Sequence, residues 1–402
     1  MVIFALLIPV VPLYLLYKVR IVQSSGKIRN RTAVFVIGFI LLNVAFGTKN
    51  SLFITRTQHH PLFGFFISLK SYLKESGKLE KAYSEKVSKN IYVVQDVEKS
   101  SAPDMLVVAI GESLTRKHMQ LYGYKRATNP KLTEIKDNLI VFNKAYTEYF
   151  STIPSLTAVL TYRENNVYLP VINILNKVNY NTYWISNQAA LGAWDTMLTM
   201  VVQGAKYRQF VNINTGVKQT QLLSYDEKLL PQLRKVVTKN TLNNIVFLHM
   251  MGSHLQYSAR YPKSFDYFKT KDGIASKPWL KKEKQYDKIN EYDNSVRYND
   301  AIIADIINEL GNTDKTVVFI YFSDHGESVF DDGNFAGHAD SVRSKYTSQV
   351  PFIIWANNRY KAKYPDQIKK FNNLAGTDYN IAEFKDMVLD MLAVSYTAPQ
   401  QE

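Results

Sequence analysis

Short apolar runs recur along the last three quarters of the chain, separated by longer amphipathic segments. Nearly continuous apolar runs of this length are typical of strands buried on both faces, and the segments between them are typical of helices. The pattern predicts an α/β domain over residues 104–402, with a mainly parallel central sheet and helices on both faces. The five runs are MLVVAI (105–110), NTYWIS (181–186), IVFLHM (245–250), VVFIYF (317–322) and PFIIW (351–355).

The first fifty residues have a different pattern, with two long apolar stretches at 2–17 and 33–47. Each is slightly shorter than the ~20 residues that usually cross a bilayer. We interpret residues 1–50 as a membrane region with two transmembrane helices. A signal peptide is the alternative for the first stretch, but it lacks a basic leading segment and a clear cleavage site. The basic loop at 18–31 contains no acid, which places it in the cytoplasm and the rest of the chain outside.

Residues 51–103 are predicted to connect the membrane region to the α/β domain. The stretch 61–86 begins apolar and aromatic and ends charged, as expected of interfacial helices that lead from the bilayer into water. Packing of this stretch against the soluble domain is the alternative.

Composition narrows the chemistry. The 402 residues carry a formal net charge of +14, which favours anionic surroundings such as a phosphate-bearing glycolipid, an acidic membrane surface or nucleic acid. The chain contains no cysteine, so a thiolate nucleophile, a disulfide and a thiolate-bound metal are excluded. Any metal must be held by His, Asp, Glu or hydroxyl oxygen.

Acids and histidines follow the predicted strands. Glu112 comes just after the first run, Asp324 and His325 follow the fourth, His254 lies a few residues beyond the third, and His338 follows in a glycine-containing loop. Because the carboxyl ends of parallel strands share one edge of a sheet, these side chains are expected to converge there. Oxygen and nitrogen donors without cysteine predict a site for zinc, or for manganese as the less favoured ion.

Each of these residues also has a purely structural interpretation. Glu112 is compatible with a helix cap or a salt bridge, and the Asp324–His325 pair with turn chemistry. His254 and His338, taken singly, are compatible with structural histidines. The metal site is favoured by the set and not by any one member.

A nucleophile is predicted in the segment STIPSLTAVLT, residues 151–161. Thr152 stands just ahead of an apolar-periodic stretch, and Pro154 suits the first turn of a helix. Exposed N–H groups at a helix start favour a phosphate, and a hydroxyl that also binds a metal loses its proton more easily. An ordinary helix cap is the alternative, and Ser151 is the competing hydroxyl.

Four motifs together resemble the phosphoethanolamine transferases of Gram-negative inner membranes, which belong to the alkaline phosphatase and sulfatase superfamily. They are GESLTRKHMQLYGYKRATNP, STIPSLTAVLT, HMMGSHLQYSARYP and YFSDHGESVFDD with its later GH, and they fall within residues 104–355. The resemblance implies that Glu112, Thr152, Asp324 and His325 bind zinc and that Thr152 becomes phosphoethanolaminated. It further implies that His254 and His338 contact the substrate phosphate or hold a second zinc ion.

The resemblance also implies a reaction and a location. The expected enzyme is a zinc-dependent transferase that moves phosphoethanolamine from phosphatidylethanolamine to lipid A or the lipopolysaccharide core. It is expected to be a monomer in the bacterial inner membrane, with its catalytic domain in the periplasm and with no nucleic acid as partner. His118 and His249 also lie in the motifs and are assigned supporting roles.

The chain departs from the family in two ways: it shows fewer predicted membrane spans, and it has none of the disulfides that many lipid A-modifying members carry. The first departure is expected of a chain that lacks part of the family's membrane region. The second leaves the identity of the acceptor undetermined.

The rival interpretations on the same fold are a phosphoglycerol transferase and a phosphodiesterase or sulfatase-type hydrolase. TIPSL lacks the convertible residue and the arginine of a sulfatase motif. An inactive membrane-anchored binding module is the rival of another class.

Overall fold

A computed structural model describes residues 92–164, 167–188, 201–212, 223–338 and 343–397. All of them belong to the second of two compact units, Leu79–Glu402. The predicted membrane region 1–50 and most of the connector 51–103 lie outside the described residues. Within the described part of the chain, no helix is both long enough and apolar enough to cross a membrane.

The described strands form one central sheet of seven strands and four two-stranded sheets. In chain order the strands are β1 Tyr92–Gln95, β2 Met105–Gly111, β3 Leu139–Val141, β4 Ala145–Tyr146, β5 Thr161–Glu164, β6 Val167–Pro170, β7 Asn181–Ser186, β8 Tyr207–Phe210, β9 Asn244–His249, β10 Val317–Ser323, β11 Ser328–Val329, β12 Ala336–Gly337, β13 Phe352–Ala356, β14 Tyr379–Asn380 and β15 Val394–Thr397. The strand order in the central sheet is β3-β13-β10-β2-β9-β7-β8. The five runs predicted as strands coincide with β2, β7, β9, β10 and β13.

The central sheet is mixed. Strands β10, β2, β9, β7 and β8 are mutually parallel, whereas β13 pairs antiparallel with both β10 and β3. The predicted mainly parallel sheet is therefore correct at its centre and wrong at the β13 edge. A parallel return from β10 to β13 needs a crossover of a dozen or more residues, usually a helix. In the described residues between these strands the only α-helix is the four-residue Lys345–Ser348, so the connection has no helix of the length that a crossover usually contains.

Helices cover both faces of the sheet, as the sequence pattern predicts. The described α-helices are α1 Pro130–Glu134, α2 Thr152–Leu160, α3 Val171–Lys177, α4 Leu229–Val237, α5 Glu283–Gly311, α6 Lys345–Ser348, α7 Asn358–Lys363, α8 Pro365–Ala375 and α9 Phe384–Met391.

The two faces of the central strands enter two separate hydrophobic cores. All seven residues of β2 are buried, and alternate residues point to opposite sides of the sheet. Leu106, Val108 and Ile110 pack on the side of α2, α3 and α9. Met105 and Val107 pack on the side of α4 and α5. Each fully buried Val, Leu or Ile contributes roughly 1.5–3 kcal/mol of hydrophobic free energy, which explains why these strands are continuously apolar.

A two-stranded antiparallel ribbon joins the beginning and the end of the described chain. Strand β1 pairs with β15, with Tyr92 opposite Thr397 and Gln95 opposite Val394. Part of the segment assigned from the sequence to the connector therefore pairs with the carboxyl-terminal strand of the α/β domain.

Candidate metal and phosphoryl-transfer site

The neighbouring central strands β2 and β10 are each followed directly by an acidic residue. Strands β2 and β10 run parallel, with Gly111 opposite Ser323, so that Glu112 and Asp324 leave the same edge of the sheet at the same level. Glu112 is 1% exposed, and Asp324 and His325 are fully buried. The Glu112, Asp324 and His325 side chains each place one potential ligand atom within 4.8 Å of the others.

Thr152 joins this group from the start of α2. The helix begins at Thr152, and the preceding Ser151 occupies the N-cap position without a side-chain cap hydrogen bond. The Thr152 hydroxyl is therefore not a helix cap. Its oxygen lies 3.2 and 3.0 Å from the two carboxylate oxygens of Glu112, to which it donates, and 3.4 Å from Nε2 of His325.

Burial and mutual charge interactions shift the pKa values of Glu112, Asp324 and His325. Burial raises the pKa of the Glu112 carboxyl, but His325 and His254 outweigh it and hold this pKa well below its usual range. Burial, and then the Glu112 charge, raises the pKa of Asp324 to about 7. Burial lowers the pKa of His325, but Asp324 and Glu112 reverse that effect and raise it to about 10. Two buried carboxylates thus hold one positive charge between them.

The donor set fits zinc. Oδ1 of Asp324 accepts from the backbone N–H groups of Ser113 and His325, at 3.1 and 2.7 Å. Oδ2 of Asp324 is buried and has no hydrogen-bond partner among the described residues, although it lies 3.5 Å from Nε2 of His325. An unsatisfied buried acceptor costs about 1–3 kcal/mol, which a bound cation would remove. Carboxylate and imidazole ligands with a neighbouring hydroxyl form a set that zinc accepts.

Two side chains that are not themselves potential metal ligands orient the Glu112 carboxylate through hydrogen bonds. The Ser113 hydroxyl donates to Oε1 at 2.8 Å, and the Gln188 amide donates to Oε2 at 3.2 Å and to the Met250 carbonyl oxygen at 3.0 Å. Gln188 was not among the residues predicted from the sequence. It lies two residues after β7, so extending the strand-end rule to the NTYWIS run would have found it.

Gly252 supports Glu112 through the backbone. It has φ of +55°, and a Cβ atom there would lie 2.6 Å from the Glu112 nitrogen and 2.7 Å from its carbonyl oxygen. The loop is held by the buried Asp226 carboxylate, which accepts from the N–H groups of Met251 and Gly252 at 2.8 and 2.9 Å. Only glycine combines this conformation with so close an approach.

We therefore expect Gly252→Ala to displace Glu112 and to weaken zinc binding by ~10–100-fold, the range seen when groups behind a metal ligand are disturbed. Competition with a chromogenic chelator measures the affinity. Gly333→Ala is the matched control, because a Cβ atom there meets nothing within 4 Å. Equal zinc affinities for the two variants would contradict this account of Gly252.

His338 belongs to a second, adjoining group. Its ring centroid lies 4.1 Å from that of His325, and its Nδ1 lies 2.6 Å from Oε2 of Glu327. The Tyr257 hydroxyl donates to the other oxygen of the fully buried Glu327 carboxylate. Glu327 therefore fixes the orientation of the His338 ring. Glu327 lies within a quoted motif, but the sequence analysis did not assign it a role.

His254 lies in the loop that follows β9. It is partly buried and close enough to Glu112 to lower the pKa of that carboxyl. Its backbone N–H donates to the Met251 carbonyl oxygen at 3.3 Å. Among the described residues, no hydrogen bond joins the His254 side chain to Thr152, Asp324 or His325. The structure thus brings four predicted residues into contact and places His254 and His338 beside them.

His118, a motif residue outside the metal group, joins a buried charge network. Its Nδ1 lies 2.6 Å from Asp293, and its Nε2 lies 3.1 Å from Asp331. Burial lowers the pKa of His118, but Asp331 and Asp293 outweigh it and raise this pKa to about 10. Arg126 pairs with the other oxygen of Asp293 at 2.6 Å. The network ties the GES motif segment to α5 and to the loop after β11.

We expect His118→Gln to lower the free energy of unfolding by about 1.5–3 kcal/mol near pH 6, because the change removes charge-assisted hydrogen bonds to two buried carboxylates, which keep Arg126 and Lys277 as ion-pair partners. A pKa raised on folding stabilises the protein fully below the unfolded value of about 6.5, and this stabilisation disappears as the pH rises towards 10. Urea denaturation at pH 6 and at pH 9.5 should show a smaller difference from wild type at the higher pH. A difference that is independent of pH would contradict a charged His118.

The comparisons with known proteins agree with this geometry. A model of the sulfatase family matches residues 104–383. The phosphoethanolamine transferase EptC of Escherichia coli O18:K1:H7 is 31% identical over 313 residues, which cover 74% of this chain and 52% of the relative. The phosphoethanolamine transferase EptA of Helicobacter pylori is 27% identical over 90% of this chain and 68% of its own length.

A solved structure of the C-terminal periplasmic domain of E. coli EptC, in complex with Zn, superposes with a TM-score of 0.68 and 27% identity. The match covers 77% of this chain and 87% of that domain. The chain spans about half the length of the curated EptC relative that it matches. With the motifs, the fold and the family model in agreement, the chain belongs to the sulfatase family, and the relatives that it resembles there are named phosphoethanolamine transferases.

Proposed function

We propose that the chain is the catalytic part of a transferase that moves phosphoethanolamine from phosphatidylethanolamine to lipid A or the lipopolysaccharide core, through a covalent intermediate on Thr152. The observation that carries the proposal is the position of the Thr152 hydroxyl, 3.0–3.2 Å from the Glu112 carboxylate oxygens at the start of a helix. The names of the relatives support the class of reaction.

Glu112, Asp324 and His325 would hold one zinc ion, with the Thr152 hydroxyl as the fourth donor. When bound, zinc makes the hydroxyl a stronger nucleophile and stabilises negative charge on the phosphoryl oxygens. His254 and His338 would contact the substrate phosphate. The Zn complex of the E. coli EptC domain and the buried Oδ2 of Asp324, which has no hydrogen-bond partner, support zinc as the metal.

The first half-reaction loads Thr152. Its Oγ1 forms a bond to the phosphorus atom of the donor, and the phosphorus–oxygen bond to diacylglycerol breaks. The proton that the hydroxyl loses is balanced by the proton that the diacylglycerol oxygen gains, and His254 or His338 would transfer it. The free N–H groups at the start of α2 and the helix dipole favour the phosphoryl group at this position.

The second half-reaction unloads Thr152. An acceptor oxygen forms a bond to phosphorus, the phosphorus–Oγ1 bond breaks, and the Thr152 oxygen regains the proton that the acceptor loses. The same histidines would carry the proton away from Thr152 in the first half-reaction and back to it in the second. We further propose that residues 104–402 perform this chemistry in the periplasm, as a monomer attached through residues 1–50 to the inner membrane that contains the donor lipid.

Mass spectrometry of peptides tests the proposal. Full-length protein in detergent is incubated with head-group-labelled phosphatidylethanolamine, quenched with acid and digested. The label is expected on the peptide that carries Thr152, together with released diacylglycerol. Label on Ser151 would overturn the assignment of the nucleophile. Release of free phosphoethanolamine with every acceptor tried would favour the hydrolase, and label from phosphatidylglycerol alone would favour the phosphoglycerol transferase.

A further inference from the structure

Three exposed cations lie on chain segments that are hydrogen-bonded to one another and to Gly326, next to His325. We call Lys117, Arg343 and Lys345 the basic rim; all three are exposed. The Arg343 guanidinium lies 5.6 Å from the centre of the Phe150 ring, two residues before Thr152. Arg343 thus lies beside the segment that leads to Thr152, and Lys345 is close enough to Lys117 to lower the pKa of that side chain.

Backbone hydrogen bonds hold the rim segments against the site. The N–H of Arg116 donates to the Gln349 carbonyl oxygen at 3.1 Å, which joins the Lys117 segment to the end of α6. The N–H of Thr147 donates to the Ser348 carbonyl oxygen at 2.8 Å, in the chain that approaches Thr152. The N–H of Gly326, next to His325, donates to the Thr347 carbonyl oxygen at 2.9 Å. Rim and site are thus parts of one hydrogen-bonded unit.

The charges of the rim are not neutralised within the described part of the chain. None of the three side chains forms an ion pair with a described acid. Partial burial, and then the nearby charges of Arg116 and Lys345, lower the pKa of Lys117, so these cations repel one another. Uncompensated like charges at the entrance of a site raise the local concentration of anions and accelerate their binding.

We propose that the basic rim binds phosphate groups of the acceptor in the second half-reaction. This inference rests on the proposed function and makes it more specific, because the acceptor class becomes a glycolipid that carries several phosphates. The donor fits the rim poorly. Phosphatidylethanolamine has one phosphate, which must lie at Thr152, so it has no second phosphate for the rim to bind.

The covalent intermediate allows the two half-reactions to be measured separately in the full-length protein. The test variant is Lys117→Ala/Arg343→Ala/Lys345→Ala. The control is Arg359→Ala/Lys363→Ala/Lys369→Ala, which removes the same charge from α7 and α8. These helices follow β13, which runs antiparallel to β10, so α7 begins near the opposite edge of the sheet from the site.

Labelled phosphatidylethanolamine first loads Thr152, and loading is timed by mass spectrometry. Transfer is then timed after addition of a lipid A disaccharide that carries two phosphates, or of the same disaccharide without phosphates. For the test variant we expect kcat/KM for the phosphorylated acceptor to fall about tenfold, through KM, with a weaker dependence on salt. Loading should stay within about twofold of wild type, and the control should match wild type in both steps.

Each of the other outcomes would contradict the proposed role of the basic rim or the proposed function. Equal losses in loading and transfer would show that it serves the donor, the fold or attachment to an anionic bilayer. Unchanged transfer, or an equal loss with the phosphate-free disaccharide, would overturn phosphate recognition by the rim. Failure of the wild-type protein to load at all would instead refute the proposed function, so the two failures are distinguishable.

Discussion

Thr152→Ala is expected to abolish formation of the labelled intermediate and, with it, all transfer of phosphoethanolamine to the acceptor. The Thr152 hydroxyl donates to Glu112, and removing it takes away the atom to which the phosphoryl group is transferred. Nucleophiles that form covalent intermediates are not replaced by neighbouring groups without a large loss of rate, commonly several orders of magnitude. Peptide mass spectrometry and transfer assays measure the two effects.

The fold should tolerate the change. Thr152 is only partly buried and lies at the first position of α2, where alanine is acceptable. Thr157→Ala is the matched control, since its hydroxyl donates to the Ile153 carbonyl oxygen within the same helix, at 2.7 Å. Thr152→Ser, which keeps a hydroxyl, should still form the intermediate. A labelled intermediate in Thr152→Ala that lies on another residue would refute the assignment.

The edge of the sheet that carries the site could be predicted from the sequence, because the local run of apolar residues shows where each strand ends. Glu112 and Asp324 each follow a continuously buried strand, and parallel pairing of these strands brings the two acids together. The same rule includes Gln188 after β7, whose contact with Glu112 becomes evident only when the loop after Ser186 is seen to fold back over the sheet.

The contribution of Glu327 could not be predicted in the same way. It lies beyond the strand end, and its function depends on Tyr257 and His338, 70 and 11 residues away along the chain. Pairings of this kind are set by loop conformation and not by periodicity. The antiparallel β13 was missed for a related reason, because PFIIW is apolar enough for either strand direction and only the connection decides it.

Asp324→Asn tests the metal site with little change in shape. The asparagine oxygen can still accept from the backbone N–H groups of Ser113 and His325, so the loop after β10 should keep its conformation. The amide nitrogen replaces Oδ2, which has no hydrogen-bond partner, with a group that cannot bind a cation. We expect zinc affinity to fall by at least ~100-fold, more than for changes behind the ligands, and transfer activity to be lost.

Stability separates loss of the metal from loss of the fold. In the presence of a chelator, Asp324→Asn should unfold no more easily than wild type, because it removes the repulsion between two buried carboxylates. Saturating zinc should raise the Tm of wild type, since at 100 times Kd a ligand adds about 2.7 kcal/mol, but should leave that of the variant unchanged.

Asp300→Asn is the matched control for Asp324→Asn. Asp300 is also buried and also accepts from two backbone N–H groups, those of Lys131 and Leu132, each at 2.9 Å. It belongs to α5 and lies outside the metal group, so its variant should keep the full increase in Tm on addition of zinc. If Asp324→Asn also kept that increase, zinc would have to bind at other residues, and the assignment of Glu112, Asp324 and His325 as its ligands would be wrong.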